Sequence, residues 1–281
     1  MNIKVWGCRG SLPAPGENTI KYGGNTTCLE IRLNDNTLII IDAGSGIRNL
    51  GKKLLAEQNL TEMYLFLTHA HWDHLMGFPF FVPGYLSRYK IHVRGGECAK
   101  RTLEQYLRHQ MEPPYFPVPF DAMKAEFDFT SGDARGMSIG SAEIIPIPLN
   151  HPNGGCGFKI IEEGKTLVFL TDNELDFRHE GGMTKDEYIS FSKGADVLIH
   201  DAQYTEKEYK ATKGWGHTTF SSATELSIKA EVRHLGLWHH DPEHTDDDID
   251  GFVASCQEKI AQANSHVQCF GVREGMEISI T

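Results

Sequence analysis

Apolar residues come in short runs along this chain, and their spacing marks most of the elements. Ile3–Trp6, Thr27–Leu33 and Thr37–Ile41 are rich in strand-forming residues, and Asn34, Asp35 and Asn36 supply turn chemistry between the last two. Over Gly44–Glu57 the period changes: Ile47, Leu50, Leu54 and Leu55 fall on one face of a predicted helix. Met63–Leu67 and Lys90–Arg94 read as short strands and residues 97–110 as a helix. Met111–Phe120, with four prolines, reads as a stiff extended loop, because proline fixes φ and removes a donor. Further strands are predicted at Ala142–Pro148, Gly157–Ile161, Thr166–Leu170, Val197–Ile199 and His234–Trp238, and helices at Lys185–Ser192, Ser221–Ala230 and Thr245–Ala263. A strand meander, a helix and then alternating strands and helices imply layered α/β architecture. Strands followed by a helix in each half fit two sheets packed together with helices outside.

Composition narrows the possibilities. The 281 residues are 40% hydrophobic and 23% charged, an ordinary globular balance with enough chain to bury a core. No apolar run reaches 18 residues, and the start lacks a basic region followed by an apolar core, so a cytoplasmic protein is expected. The net charge of −11 argues against a surface coated in phosphate contacts but leaves room for a local metal-centred site. The six cysteines, at 8, 28, 98, 156, 256 and 269, show no C-x-x-C spacing and read as reduced thiols. The run Asp246, Asp247, Asp248 and Asp250 suits the positive end of a helix better than a calcium loop.

Seven of the fourteen histidines fall in two windows, residues 69–74 and 234–244. The first holds Thr68-His69-Ala70-His71-Trp72-Asp73-His74, directly after the apolar run Met63–Leu67. In extended backbone His69 and His71 project to one side, and Asp73 and His74 then enter a turn or helix start. Four metal-type ligands within six residues can serve two adjacent ions.

This pattern resembles the metallo-β-lactamase-fold hydrolases, and further motifs of that family follow in order along essentially the whole chain. Ile39-Ile40-Ile41-Asp42 ends an early strand, Leu149-Asn150-His151-Pro152 follows another, Leu170-Thr171-Asp172 closes a third, and Leu235-Gly236-Leu237-Trp238-His239 a fourth. The resemblance implies one domain over residues 1–281 with a four-layer αββα sandwich. It implies one metal held by His69, His71 and His151, a second by Asp73, His74 and His239, and Asp172 bridging them. Asp73 would also count among the catalytic groups, and Asp42 would orient ligands without binding metal. Nitrogen and oxygen donors without thiolate suit Zn²⁺ and tolerate Mn²⁺. Two such ions favour a bridging hydroxide and an anionic substrate. Histidine at position 71, where flavodiiron oxidoreductases of this fold carry Glu, favours hydrolysis over oxygen or NO reduction.

Cleaving a phosphodiester is helped by a general acid for the leaving alkoxide. Gly216-His217-Thr218-Thr219 resembles the proton-donating element of RNase Z-like phosphodiesterases, and Asp201, which matches the acidic strand end of the same branch, is expected to hold His217. His240 is the second candidate acid, and an alternative to His239 as the ligand; adjacent strand residues point apart, so only one faces the site. Register and resemblance favour His239, with Asp241 orienting one of these rings. His200 and His234 read as strand residues, and His92, His109, His179 and His266 as surface ones. The glycine-rich segments Trp6–Pro13 and Tyr22–Cys28 resemble the start of RNase Z and cyclic-phosphate phosphodiesterases, where glycine lets backbone approach a metal pocket. Arg9 is a candidate phosphate contact or a structural ion pair.

Only 21 positions separate His151 from Asp172, which leaves no room for the long arm of tRNA-processing RNase Z, and the acidic balance also disfavours tRNA. The expected function is hydrolysis of a small phosphodiester, such as a cyclic nucleotide or cyclic ribose phosphate. Phe78–Phe81, Val82–Tyr89 and Pro113–Phe120 are expected either to wall the pocket or to pack in core and dimer contacts. The alternatives are an RNA-processing RNase Z-like nuclease, a lactonase or thioesterase on the same fold, and a non-catalytic metal-binding protein. Homodimerisation is expected from the family alone.

Overall fold

The computed structural model describes residues 1–95, 103–129 and 136–281. Two seven-stranded sheets face each other. In one the order is β14 (Glu277–Ser279), β1 (Asn2–Gly7), β2 (Cys28–Arg32), β3 (Leu38–Ile41), β4 (Glu62–Leu67), β5 (Lys90–Gly95) and β6 (Glu126–Phe129). In the other it is β13 (Gln268–Gly271), β12 (His234–Trp238), β11 (Val197–Asp201), β10 (Lys165–Leu170), β9 (Cys156–Glu162), β8 (Ala142–Pro148) and β7 (Met137–Ile139). Both sheets are mixed. β3 through β6 run parallel, as do β10 through β13, and the remaining pairs are antiparallel.

The layering follows from the two-residue period of the strands. Ile39 and Ile41 face the opposing sheet, where with Val5, Ile31 and Phe66 they meet Phe158, Leu167, Phe169 and Trp238. Leu38 and Ile40 face outward and pack beneath α1 (Ile47–Leu54), whose Ile47, Leu50 and Leu54 are buried, and near Leu107 of α3 (Leu103–Gln110). The outer face of the second sheet is covered by α4 (Lys185–Ser192), α6 (Phe220–Lys229) and α7 (Asp246–Gln262), through Tyr188, Leu226, Cys256 and Ile260. The result is the expected αββα sandwich. Two short helices, α2 (Trp72–Leu75) and α5 (Glu206–Thr212), belong to the loops at one end.

The long periodic runs were legible, and several of the shortest elements were not. β6, β7, β13 and β14 have only three or four residues each, too few to display a period. α5 buries none of its residues, so it carries no apolar stripe to read. The helix expected over Gly44–Glu57 is confined to Ile47–Leu54, and the strand at Val197–Ile199 runs on to Asp201. Of the helix expected over 97–110, residues 97–102, with Cys98, lie outside the described residues. The other five cysteines are buried and not joined in disulfides.

The acidic run at 246–250 serves the start of α7. Thr245 accepts from the Asp248 amide while Asp248 accepts back from Thr245. Asp246 accepts from the amides of Lys21 and Tyr22, and Asp250 pairs with Lys21 Nζ and Tyr22 Oη, so the run also anchors the N-terminal segment. Among the described residues no helix is long and apolar enough to cross a membrane.

Candidate metal centre

The segments carrying the site residues leave strand ends at one edge of the sandwich. Asp42 follows β3, residues 68–74 follow β4, His151 follows β8, Asp172 follows β10, Asp201 ends β11 and His239 follows β12. Clefts beyond the carboxyl ends of parallel strands are where ligands commonly bind. At three of these ends the backbone turns left-handed: φ is 63° at Asp42, 48° at Asp172 and 61° at His239. Each such non-glycine residue costs about 1–3 kcal/mol and persists only where its surroundings hold it. The turn stops the strand's alternation and redirects the side chain. α2 begins at Trp72, so Asp73 and His74 sit in its single turn while His71 is still extended.

Besides a group of Asp201, His217 and His239, two donor groups that share Asp172 result among the described residues. His69, His71, His151 and Asp172 form one, and Asp73, His74, Asp172 and His239 the other; within each, the ligand atoms all lie within 4.8 Å of one another. Asp172 divides its oxygens between them. Its Oδ2 is 3.5 Å from His69 Nε2 and 3.8 Å from His151 Nε2. Its Oδ1 is 3.2 Å from His74 Nε2 and 3.3 Å from His239 Nε2. Asp73 Oδ2 lies 3.3 Å from His74 Nε2 and 3.1 Å from His239 Nε2.

Hydrogen bonds behind the rings turn Nε2 into the site. His74 Nδ1 faces Asp42 Oδ2 at 2.7 Å, His151 Nδ1 faces the Gly216 carbonyl at 3.0 Å, and His239 Nδ1 faces Gln203 Oε1 at 2.8 Å. Each acceptor fixes a tautomer with the proton on Nδ1 and the lone pair on Nε2, as metal-binding imidazoles require. Asp42, fully buried, is itself held by the amide and hydroxyl of Thr68 at 2.8 and 2.9 Å.

The donor set fits a divalent cation. The Nε2 atoms of His69 and His74 are buried without a hydrogen-bond partner among the described residues, an arrangement worth about 1–3 kcal/mol of penalty unless an ion engages it. Burial keeps His69 and His71 below the usual histidine range and lowers His151 to about 3, so these rings stay neutral and able to donate a lone pair. At His74 burial also works against charge, yet Asp172, Asp73 and Asp42 together hold its pKa well above the ordinary value. That attraction acts on any cation at the same spot.

His217 borders both groups. Its Nδ1 meets Asp201 Oδ2 at 2.7 Å, and Asp201 Oδ1 accepts from the amides of Thr218 and Gln203. Burial lowers the His217 pKa, but Asp201, with Asp172 and Asp73, outweighs it and raises the ring to about 9. A cleft of about 530 Å³ is lined by His217 together with Ser11, Ala70, His71, Trp72, Asp73, Asp172 and His239.

Several expectations change. His240 points away, its Nε2 donating to the Val272 carbonyl at 2.8 Å, so His239 is the member of the pair at the site. Asp241 touches neither ring. It accepts from Gln203 Nε2 at 3.0 Å and so acts on His239 through Gln203, a residue no motif singled out. Arg9 is fully buried and donates to the carbonyls of Gly23, Asp241 and His244, which makes it a loop fastener rather than a phosphate contact. His92, expected at the surface, is buried between Glu62 and Asp128. Phe78, Phe81 and Phe120 pack in the core outside the first sheet and do not line the cleft. The aromatic residue that does line it is Trp72, 79% exposed. The glycine-rich start approaches as expected: a Cβ on Gly10 would stand 2.4 Å from His239 Nδ1, and the Ser11 amide donates to Asp73 Oδ2 at 2.9 Å.

Comparison with known proteins bears on the family and the fold. The family model described as the beta-lactamase superfamily domain matches residues 37–240. Ribonuclease Z of Parabacteroides distasonis is 22% identical over 288 residues, covering 87% of this chain and 90% of the relative. Among solved structures, the metallo-beta-lactamase fold protein YhfI from Bacillus subtilis superposes with a TM-score of 0.69 at 16% identity, over 99% of this chain and 98% of that one. A diphosphatase from the PhnP family gives 0.67 at 15% identity, over 100% and 98%.

Proposed function

This chain belongs to the beta-lactamase superfamily, and within it we propose a metal-dependent phosphodiesterase acting on a small substrate, a cyclic nucleotide or cyclic ribose phosphate. The observation that carries the reading is His217, a ring that Asp201 holds protonated beside two groups of metal-type donors. Expulsion of an alkoxide from phosphate uses such an acid, whereas the thiolate released from a thioester needs far less protonation.

His69, His71 and His151 would hold one divalent ion, Zn²⁺ or Mn²⁺, and Asp73, His74 and His239 a second, with Asp172 shared. Such a pair supplies an activated water and charge neutralisation for a phosphate. The chain's own residues do the rest. Asp42, Gln203 and the Gly216 carbonyl orient three of the rings. His217 donates its proton from Nε2 to the departing oxygen, and Asp201 stabilises the ring in its charged form. Trp72, on the cleft wall beside the ligands, offers an exposed face for stacking a base.

Similarity to ribonuclease Z over most of the chain favours a second reading, a nuclease trimming RNA. Two features weigh against it. β9 and β10 fill the interval between His151 and Asp172 with a strand, a turn and a strand, and the chain carries a net charge of −11.

The test is a substrate panel with Zn²⁺- or Mn²⁺-loaded protein: 2′,3′- and 3′,5′-cyclic mononucleotides, a cyclic ribose phosphate, bis(p-nitrophenyl) phosphate, a precursor tRNA, a lactone and a thioester. Turnover of the small phosphodiesters above the others supports the proposal. Turnover of the lactone or thioester alone, or of the tRNA alone, replaces it.

A further inference from the structure

Glu174 is fully buried two residues beyond Asp172, and the groups bonded to its carboxylate are not themselves candidate metal ligands. Four donors converge on it. Oε1 accepts from Tyr209 Oη and the Gly214 amide, both at 2.7 Å. Oε2 accepts from the Gly216 amide at 2.8 Å and faces His179 Nε2 at 2.9 Å. A buried carboxylate with a full set of charge-assisted bonds is a strong, directional anchor, and two of these bonds are to one short loop.

That loop touches both halves of the chemistry. The Gly216 carbonyl holds Nδ1 of His151 at 3.0 Å, and the next residue is His217. The contact is close: φ at Gly216 is 97°, and a Cβ there would lie 2.0 Å from His151 Nδ1. Glu174 is tied in turn to the other loops, since its own amide donates to the Asn150 carbonyl at 2.9 Å.

We propose that Glu174 is a positioning residue that clamps the 214–216 loop and thereby sets the aim of His151 and the placement of His217. The proposal rests on the function proposed above, in which His151 is a metal ligand and His217 the acid. The physical reason is register. Without the carboxylate, the amides of Gly214 and Gly216 lose their acceptor, and the Gly216 carbonyl, in the next peptide group, loses the fixed backbone that aims it at His151.

The decisive variant is Glu174→Gln in the full chain. Whichever way the new amide turns, its NH₂ faces a backbone N–H, so one of the two clamping bonds is lost. Metal-free protein would be titrated with Co²⁺ and followed by the visible d–d bands. The expected result is that one of two ions binds about 10–100-fold more weakly, with an altered band shape, while the other is unaffected. With the substrate identified by the panel, kcat should fall at least tenfold while KM changes by less than about threefold. Wild-type cobalt binding and spectrum, with only a lower Tm, would overturn the clamp and leave Glu174 a structural residue. If Glu174→Gln does not fold, Tyr209→Phe removes one donor to the same carboxylate. A severalfold loss at the same ion supports the clamp, and an unchanged titration overturns it. A protein that turns over no phosphodiester defeats the functional reading but leaves the cobalt titration able to decide the clamp.

Discussion

The ring of His217 stacks on that of His239, with centroids 4.8 Å apart and 17° between the planes. The two rings are held by different acceptors: Asp201 takes the Nδ1 proton of His217 and Gln203 that of His239. Adjacent imidazoles are therefore given different work, one kept charged by a carboxylate and the other turned with its Nε2 toward Asp73 by an amide oxygen.

His217→Ala should lower kcat by about 10²–10⁴-fold for substrates with alkoxide leaving groups. The loss should be much smaller for bis(p-nitrophenyl) phosphate, whose leaving group needs little protonation. Metal content by elemental analysis should stay at the wild-type level. A fall in metal content would mean that His217 is a ligand, grouped with Asp201 and His239.

His239→Ala should lose one equivalent of metal, and His240→Ala should lose none. The second variant leaves the Val272 carbonyl without its donor, and a destabilisation of about 1–3 kcal/mol in urea is expected from that loss. Metal loss in His240→Ala would reverse the roles.

Gln203→Ala removes the acceptor behind His239 and separates Asp241 from the site. Affinity for one ion should drop about 10–100-fold, measured by competition with a chromophoric chelator. Asp241→Asn should show a smaller change in the same direction, because its influence passes through Gln203.

Stripping the metal should destabilise the fold, since Asp73 and Asp172 are buried close together. Ligand linkage gives about 2.7 kcal/mol at a hundredfold excess over Kd, or roughly 5–10 °C in Tm for a chain of this size. Calorimetry with and without chelator checks this. Identical melting curves would argue against tight binding.

Thr245→Ala should cost about 1 kcal/mol by removing the cap of α7. Hydrogen bonds from Thr245 hold the Asp248 carboxyl below its usual range. A group with a depressed folded pKa contributes stability above its unfolded value and loses it as pH falls through the folded one. The gap between wild type and variant should therefore be widest at neutral pH and narrow under acid, as read from urea midpoints.

Much of this molecule was legible in its sequence because the informative features are local. His69, His71, Asp73 and His74 stand within one six-residue window, and the apolar run before them ends a strand. Residues such as Ile39, Ile40 and Ile41 declare buried strands by composition alone, and the resemblance ordered the distant ligands. Tertiary structure alone decided what depends on contact between remote segments. Gln203 meets His239 across 36 positions, and Glu174 reaches Gly216 across 42. Neither has a spacing that a motif could report. His239 was separated from His240 by a left-handed turn at a strand end, where the two-residue alternation that sequence reasoning relies on no longer applies. Arg9 and His92 changed roles for the same reason: burial and hydrogen-bond partners belong to the packed chain, and no local pattern encodes which carbonyl or carboxylate will arrive opposite a given side chain.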